Sequence, residues 1–370
     1  MKKIFLIIAA LVLLPVNALA LEEKADRLME SVDRESIYES LSPEVREELQ
    51  NIGADEISTE NINKISGHKL LESALYHLKD SFYQHIRFFV SVFTLALAEL
   101  ISQCLSLDGE MKKAVNFVFS LMLSLIMLSS FSQFVKESYQ VIRDSIKFMY
   151  AFVPVFCSLT ASGGRVASAN LTGGMLLTVC ELTGKLLDSF FLPFCMSFVI
   201  LTISASFSSS EVLLAISKLV KNTVTGFLIF SSGALSFIIS VSNHVTSASD
   251  SAFVKMSGAL AGTFVPVIGS ALKDAGGAFR SCMYIISASV GSFGIIAGLV
   301  IFLPSFIDLL VFKGGLVLFE AVFSAFDSKE TACLISGLKS AVTLVLAFQC
   351  FVCFIMVIST AIVIHSGYGG

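Results

Sequence analysis

FVPVFCSLTASGG at Phe152–Gly164 and FVPVIGSALKDAGG at Phe264–Gly277 state one phrase twice, with starts 112 residues apart. Each is followed by FLP, at Phe191–Pro193 and at Phe302–Pro304. The interval from Pro154 to Pro193 is 39 residues and that from Pro266 to Pro304 is 38. Proline removes a backbone donor and glycine permits close approach, so both interrupt an apolar helix. Interruptions at matched places in long apolar stretches predict an all-α, polytopic membrane protein with two related Pro/Gly-interrupted halves. Whether the halves run parallel or inverted depends on an odd or even number of spans between them.

Working outward, five stretches read as membrane spans: Phe88–Leu107, Ala114–Val135, Val224–Val241, Cys282–Leu303 and Ala341–Ile364. Each holds 18 to 24 residues, and all but the first lack a formal charge. Phe190–Phe207 makes a sixth. Phe306–Phe326 makes a seventh, interrupted by Asp308, Lys313 and Glu320. Shorter broken segments around Pro154 and Pro266 raise the expectation to seven to nine segments within residues 86–370. Lys136, Arg143 and Lys147 are expected in a loop after the second span. Composition agrees: 55% of residues are hydrophobic, 15% are charged and mean hydropathy is +0.82, far from a soluble average.

Residues 1–20 read as a signal peptide: Lys2 and Lys3, an apolar core over Ile4–Leu14, then Ala18-Leu19-Ala20. That core is too short to span a bilayer. Residues 21–85 form an acidic helical region, expected outside the cytoplasm, with 15 Asp/Glu against 7 Lys/Arg. Ser42-Pro43 predicts a helix start, and Leu41, Val45, Leu49 and Ile52 give that helix one apolar face. A second periodic set, from Leu70 through Phe82 to Ile86, is expected to run on into the first span. The acidic balance argues against anionic headgroups as the partner of this region and fits a solvated face or a protein-docking surface.

Ionisable residues inside apolar segments are costly and face protein or water. Glu99, Glu181 and Glu320 are therefore candidates for a polar path or for pairing between helices. Pro154, Gly163, Gly164, Pro193, Pro266, Gly276, Gly277 and Pro304 are candidates for broken-helix elements, either lining a path or serving packing alone. No phosphate loop and no H-E-x-x-H motif occurs, the eight cysteines lie mostly in apolar runs, and basic residues are scattered. The chain is read as no enzyme, with no catalytic residue, cofactor or metal, and with no nucleic-acid partner. The lipid bilayer is its expected environment.

The quoted phrases, extended to FVPVFCSLTASGGRVASANLTGG at Phe152–Gly174, together with the signal-like start and acidic lead, resemble the stage III sporulation protein AE family. The resemblance covers essentially the mature chain. It implies a multi-pass protein made in the mother cell of an endospore former and placed in the membrane around the forespore. There it implies membership of a channel-like or secretion-like complex that supports late forespore gene expression. Its implied partners are other proteins of the stage III sporulation operon and, through the complex, a forespore membrane protein. The resemblance carries no substrate and no catalytic residue. Two other readings stand beside it: an independent ion-coupled secondary transporter, and a non-conducting membrane scaffold.

Overall fold

The computed structural model describes residues 34–54, 67–104, 109–208, 211–264, 269–325 and 329–365. The expected signal peptide and Pro266 lie outside the described residues. Every described element is helical: α1 (Arg34–Glu39), α2 (Pro43–Ile52), α3 (Gly67–Cys104), α4 (Gly109–Ser162), α5 (Val166–Leu186), α6 (Leu192–Ser208), α7 (Glu211–Phe264), α8 (Gly269–Ala325) and α9 (Lys329–His365). Five-residue π geometry over Leu187–Phe191 joins α5 to α6. Among the described residues four stretches are long and apolar enough to cross a membrane: Gly109–Ser162, Val166–Phe207, Ala288–Ala325 and Thr331–Ile358.

The small helix α2 follows its sequence cues closely. The Ser42 side chain accepts from the Val45 backbone N–H at 3.4 Å, Pro43 occupies the first turn, and Gly53 closes the helix at φ 81°. Left-handed geometry is open to glycine at little cost, which is why the stop falls there. Leu41, Leu49 and Ile52 are buried, and Tyr38 packs its ring 5.4 Å from that of Phe293, fixing α1 against α8. The helix α3 continues without a break across residues 85 and 86. Leu71, Leu75, Leu78, Phe82 and Ile86 of its periodic set face outward.

The long helices exceed the spans read from sequence. At 1.5 Å per residue, the 54 residues of α4 reach about 80 Å, against a hydrocarbon core of ~30 Å. The expected loop holding Lys136, Arg143 and Lys147 is instead helix. Its charges pair along the helix surface. Lys147 Nζ donates to Asp144 at 2.8 Å, Gln140 donates to the same carboxylate at 3.0 Å, and Arg143 donates to the Tyr139 hydroxyl at 2.9 Å. Pairs three and four residues apart support a helix through a polar stretch. Likewise Cys282–Leu303 and Phe306–Phe326 are two parts of the single 57-residue helix α8, with Pro304 inside it.

Each broken phrase has its own local solution. In the first, Pro154 sits on the exposed side of α4, which continues past it to Ser162. The stop comes at the glycine pair: Gly163 N–H donates to Leu159 O, Gly164 N–H to Ala161 O, and Gly164 adopts φ 86°. In the second, α7 ends at Phe264, and Gly276-Gly277 lies inside α8. Pro193 stands two residues past the end of the π segment, after Leu192. Its ring would press on the carbonyl four residues back, and the widened turn over Leu187–Phe191 relieves that contact.

Packing is dominated by phenylalanine and glycine. Phe131, Phe148, Phe152, Phe191, Phe293, Phe302, Phe312 and Phe323 are fully buried. Phe134 and Phe312 lie 4.3 Å apart by ring centroid, and Phe148, Phe152 and Phe156 stack in sequence along α4. Glycines seat large side chains: Gly294 lies against Phe152, Gly315 against Phe89, and Gly298 against Met356. A small residue facing a large one lets helices approach where lipid offers no hydrophobic drive toward association. The largest helix–helix interface joins α8 and α9.

Candidate functional site

Among the described residues polar side chains meet between helices at several places, four of them around Glu99, Glu320, His85 and Gln349. At the first, Glu99 on α3 is 4% exposed, and Thr331 on α9 donates its hydroxyl to the carboxylate at 3.4 Å. Ser120 on α4 stands 3.4 Å from the Thr331 hydroxyl, and Ser124 bonds back to the Ser120 carbonyl. This carboxylate therefore ties α3, α4 and α9 together at the end where α9 begins.

At the second place, Lys339 on α9 donates to Glu320 on α8, with both side chains about one quarter exposed. Lys313 lies seven residues before Glu320, two helical turns, and so shares its face of α8. The ammonium groups of Lys221, on α7, and Lys339 both act electrostatically on Lys313. The observed contact here is the one between Lys339 and Glu320, which ties α9 to α8.

The third place joins His85 on α3 to Asp308 on α8 at 3.9 Å, inside a frame of aromatic rings. Phe134 lies 5.0 Å and Phe312 5.9 Å from the imidazole centroid. Glu137 on α4 accepts from Gln133 at 2.8 Å and feels the Asp308 charge. At the fourth, Gln349 on α9 is wholly buried and donates to the Ser305 hydroxyl on α8 at 2.6 Å. The serine follows Pro304, so this cross-helix bond sits beside the ring that interrupts the α8 hydrogen-bond ladder.

The expected site residues divide accordingly. Glu99 and Glu320 point inward but belong to separate clusters. Glu181 points outward: its carboxylate pairs with Lys185 one turn along α5 at 2.6 Å, and the two side chains are 61% and 72% exposed. Pro154 and Pro193 are exposed, Pro304 is half-buried, and Gly163 and Gly164 form the α4 stop. Gly276 and Gly277 lie within α8. Lys339, Thr331, Ser305 and Gln349 were not expected as site residues. Their cue in sequence was an isolated polar side chain in an apolar run, which gains meaning only when a partner on another helix is known.

Geometrically, these clusters hold helices in register, and two of them, at Lys339–Glu320 and His85–Asp308, are partly open to the outside. Among the described residues no group of three His, Cys, Asp or Glu is placed to hold a metal ion. The crevices between α4, α5 and α9 are apolar, lined by Ile142, Leu187, Phe348, Phe351 and Val352 among others.

Against known proteins, the model of the family described as stage III sporulation protein AE matches residues 48–367. Stage III sporulation protein AE of Bacillus subtilis (strain 168) is 22% identical over 199 residues. That alignment takes in 54% of this chain and 50% of the relative, about half the length of each. No solved structure matches.

Proposed function

The chain belongs to the stage III sporulation protein AE family, and from that premise we propose that it is a membrane component of a sporulation-specific channel or secretion-like complex linking mother cell and forespore. Its contribution there is to support late forespore gene expression. The observation that carries this reading is the family match across residues 48–367, laid on a body whose described residues include four helices long and apolar enough to cross a membrane. On this reading the chain resides in the mother-cell-derived membrane around the forespore. Its acidic N-terminal region, freed of the signal peptide, faces the intermembrane space. Other stage III operon proteins and, through the complex, a forespore membrane protein are its partners, and its two phrases mark related halves.

One observation favours a scaffold or base over a self-contained transporter. Among the described residues the interior is filled by buried phenylalanines, and Glu99 and Glu320 are engaged by Thr331 and Lys339. A polar solute crossing at this protein would pass between the chain and its neighbours, not through the bundle. The test is a clean deletion in the native host, scored for heat-resistant spores and for late forespore transcription after engulfment. Loss of both, restored by mother-cell expression, is the expected result. Normal sporulation without a second copy of the gene would sink the proposal and return attention to ion-coupled transport by the isolated chain.

A further inference from the structure

Along its first half α3 turns an apolar stripe outward. Leu71, Leu75, Leu78 and Phe82 follow one another at intervals of four, three and four residues, and they are 61%, 57%, 47% and 53% exposed. Alternating steps of three and four keep apolar side chains on one seam, the pattern by which two helices pack along each other. The stripe continues through Ile86, Val90, Phe93 and Leu97, all exposed, into the stretch read as the first span. A contiguous apolar surface of this length marks a face that another body covers.

What covers its upper part follows from height. The His85 ring stands 5.0 Å from that of Phe134, and the Thr331 hydroxyl stands 3.4 Å from both Glu99 and Ser120. His85 and Glu99 are fourteen residues apart on α3, as are Phe134 and Ser120 on α4, so the two helices run antiparallel in one register. Leu71 to Phe82 is thus level with Glu137 to Phe148, where Gln140, Arg143 and Lys147 are exposed. Asp188, just past α5, is also exposed and accepts from the Tyr139 hydroxyl at 2.6 Å, which brings the exposed Lys185–Glu181 pair to the same height. Hydrocarbon encloses a protein on every side, and exposed charges within it are costly. The charged belt on α4 and α5 therefore sets this height outside the hydrocarbon, and the leucine stripe at that height calls for protein, not lipid, as its cover.

We propose that α3 pairs in parallel with α3 of a second copy of this chain along Leu71, Leu75, Leu78 and Phe82. Two copies in one membrane hold α3 at the same height and in the same direction. A two-fold axis along the membrane normal therefore matches their stripes from the aqueous layer down to Leu97, whereas a soluble partner could follow only the upper part. In a parallel pair, Gly67, Ala74 and Ser81 face Glu72, Lys79 and Ile86 of the second copy, so no like charges meet across the seam. The pairing adds a self-partner to the sporulation reading and does not depend on it, since it rests on exposure and register in this chain alone.

The test uses the purified full chain in phosphatidylcholine vesicles at falling protein-to-lipid ratios. Leu71→Cys, Leu75→Cys and Leu78→Cys are each oxidised with copper phenanthroline, and the parent, with its own eight cysteines, sets the baseline. Tyr76→Cys and Asp80→Cys, at exposed positions on the charged flank of α3, are the controls. Disulfide-linked dimer is expected at the three stripe positions, persisting on dilution, with none above baseline at the two controls. Leu75→Lys is expected to weaken association roughly tenfold or more, the usual cost of losing one buried leucine. Its melting as a single chain in detergent is expected to match the parent, because this side chain is exposed there. Leu78→Lys repeats the test at a second position. A chain that stays single at every protein-to-lipid ratio overturns the proposal and leaves the stripe to a helix of a different protein. Equal cross-linking at stripe and control positions, or an association unmoved by either lysine variant, overturns it as well.

Discussion

Adding a single methyl group at Gly294 tests the packing account most directly. An ideal Cβ there would come within 2.7 Å of Phe152 Cε2, with the ring's Cζ closer still. Phe152 is 1% exposed and stacks between Phe148 and Phe156 at centroid distances of 5.4 and 5.6 Å. The ring therefore has no free side to turn toward. Overpacking of a closed core costs about 1–3 kcal/mol, and a rigid, stacked neighbour places Gly294→Ala toward the upper part of that range. Intrinsic helix propensity pulls the other way, since alanine is better than glycine by roughly 0.5–1 kcal/mol within a helix. The net expectation is a loss of about 1–2 kcal/mol.

Gly233→Ala on α7 supplies the control, because nothing lies within 4 Å of its added Cβ. That variant gains propensity with no clash, so its midpoint should rise slightly. The assay is thermal or denaturant unfolding of the detergent-solubilised full chain, with both substitutions measured side by side. Phe152→Leu should partly relieve Gly294→Ala, and the double mutant should be more stable than the sum of the singles by about 1 kcal/mol, as contacting residues do. A Gly294→Ala midpoint at or above the parent, or additive behaviour in the double mutant, would refute the claim that this crossing depends on the missing side chain.

Other consequences are smaller experiments of the same kind. Gly164→Ala places a Cβ in left-handed backbone at the α4 stop, and a loss of about 1 kcal/mol in the same unfolding assay is expected. Glu320→Lys alone should lower the amount of folded protein in the membrane, and Lys339→Glu added to it should recover part of that loss by restoring the α8–α9 pair. Glu99→Ala removes the acceptor of the Thr331 hydroxyl in a buried place and should cost roughly 1–3 kcal/mol, with Glu99→Gln milder because its amide oxygen still accepts. Glu181→Gln should leave both stability and sporulation unchanged, since its partner lies on the same exposed helix face.

The parts of this fold that were legible in sequence are those written in local chemistry. Ser42, Pro43 and Gly53 specify α2 through a side-chain acceptor, a preset φ and a left-handed stop, all within eleven residues of each other. The periodic set around Leu71–Phe82 specified a helix, although it could not say that its apolar face would lie outward. Interruptions were read less well, because a break in hydropathy is not a break in backbone. Lys136 to Lys147 looks like a loop when membrane residues are sought, whereas residues three and four apart in that stretch satisfy one another along a helix. Pro304 failed to divide α8 for a related reason: proline removes one ladder bond, and flanking helices hold the rest of the rod in place.

What sequence could not supply is which buried polar groups meet. Glu99 and Thr331 are separated by 232 residues, yet they share a hydrogen bond; Glu320 and Lys339 are 19 apart and meet from two successive helices, α8 and α9. In both cases the charged residue was visible and the partner was not, because a threonine or lysine in an apolar run announces a need without naming its solution. Glu181 makes the same point in reverse: it satisfies that need with Lys185, four residues along its own helix, and so contributes nothing to the interior. An intramembrane carboxylate is therefore informative about an internal site only after its nearest helical neighbours have been excluded as partners. Applied to this chain, that criterion removes Glu181 and keeps Glu99 and Glu320.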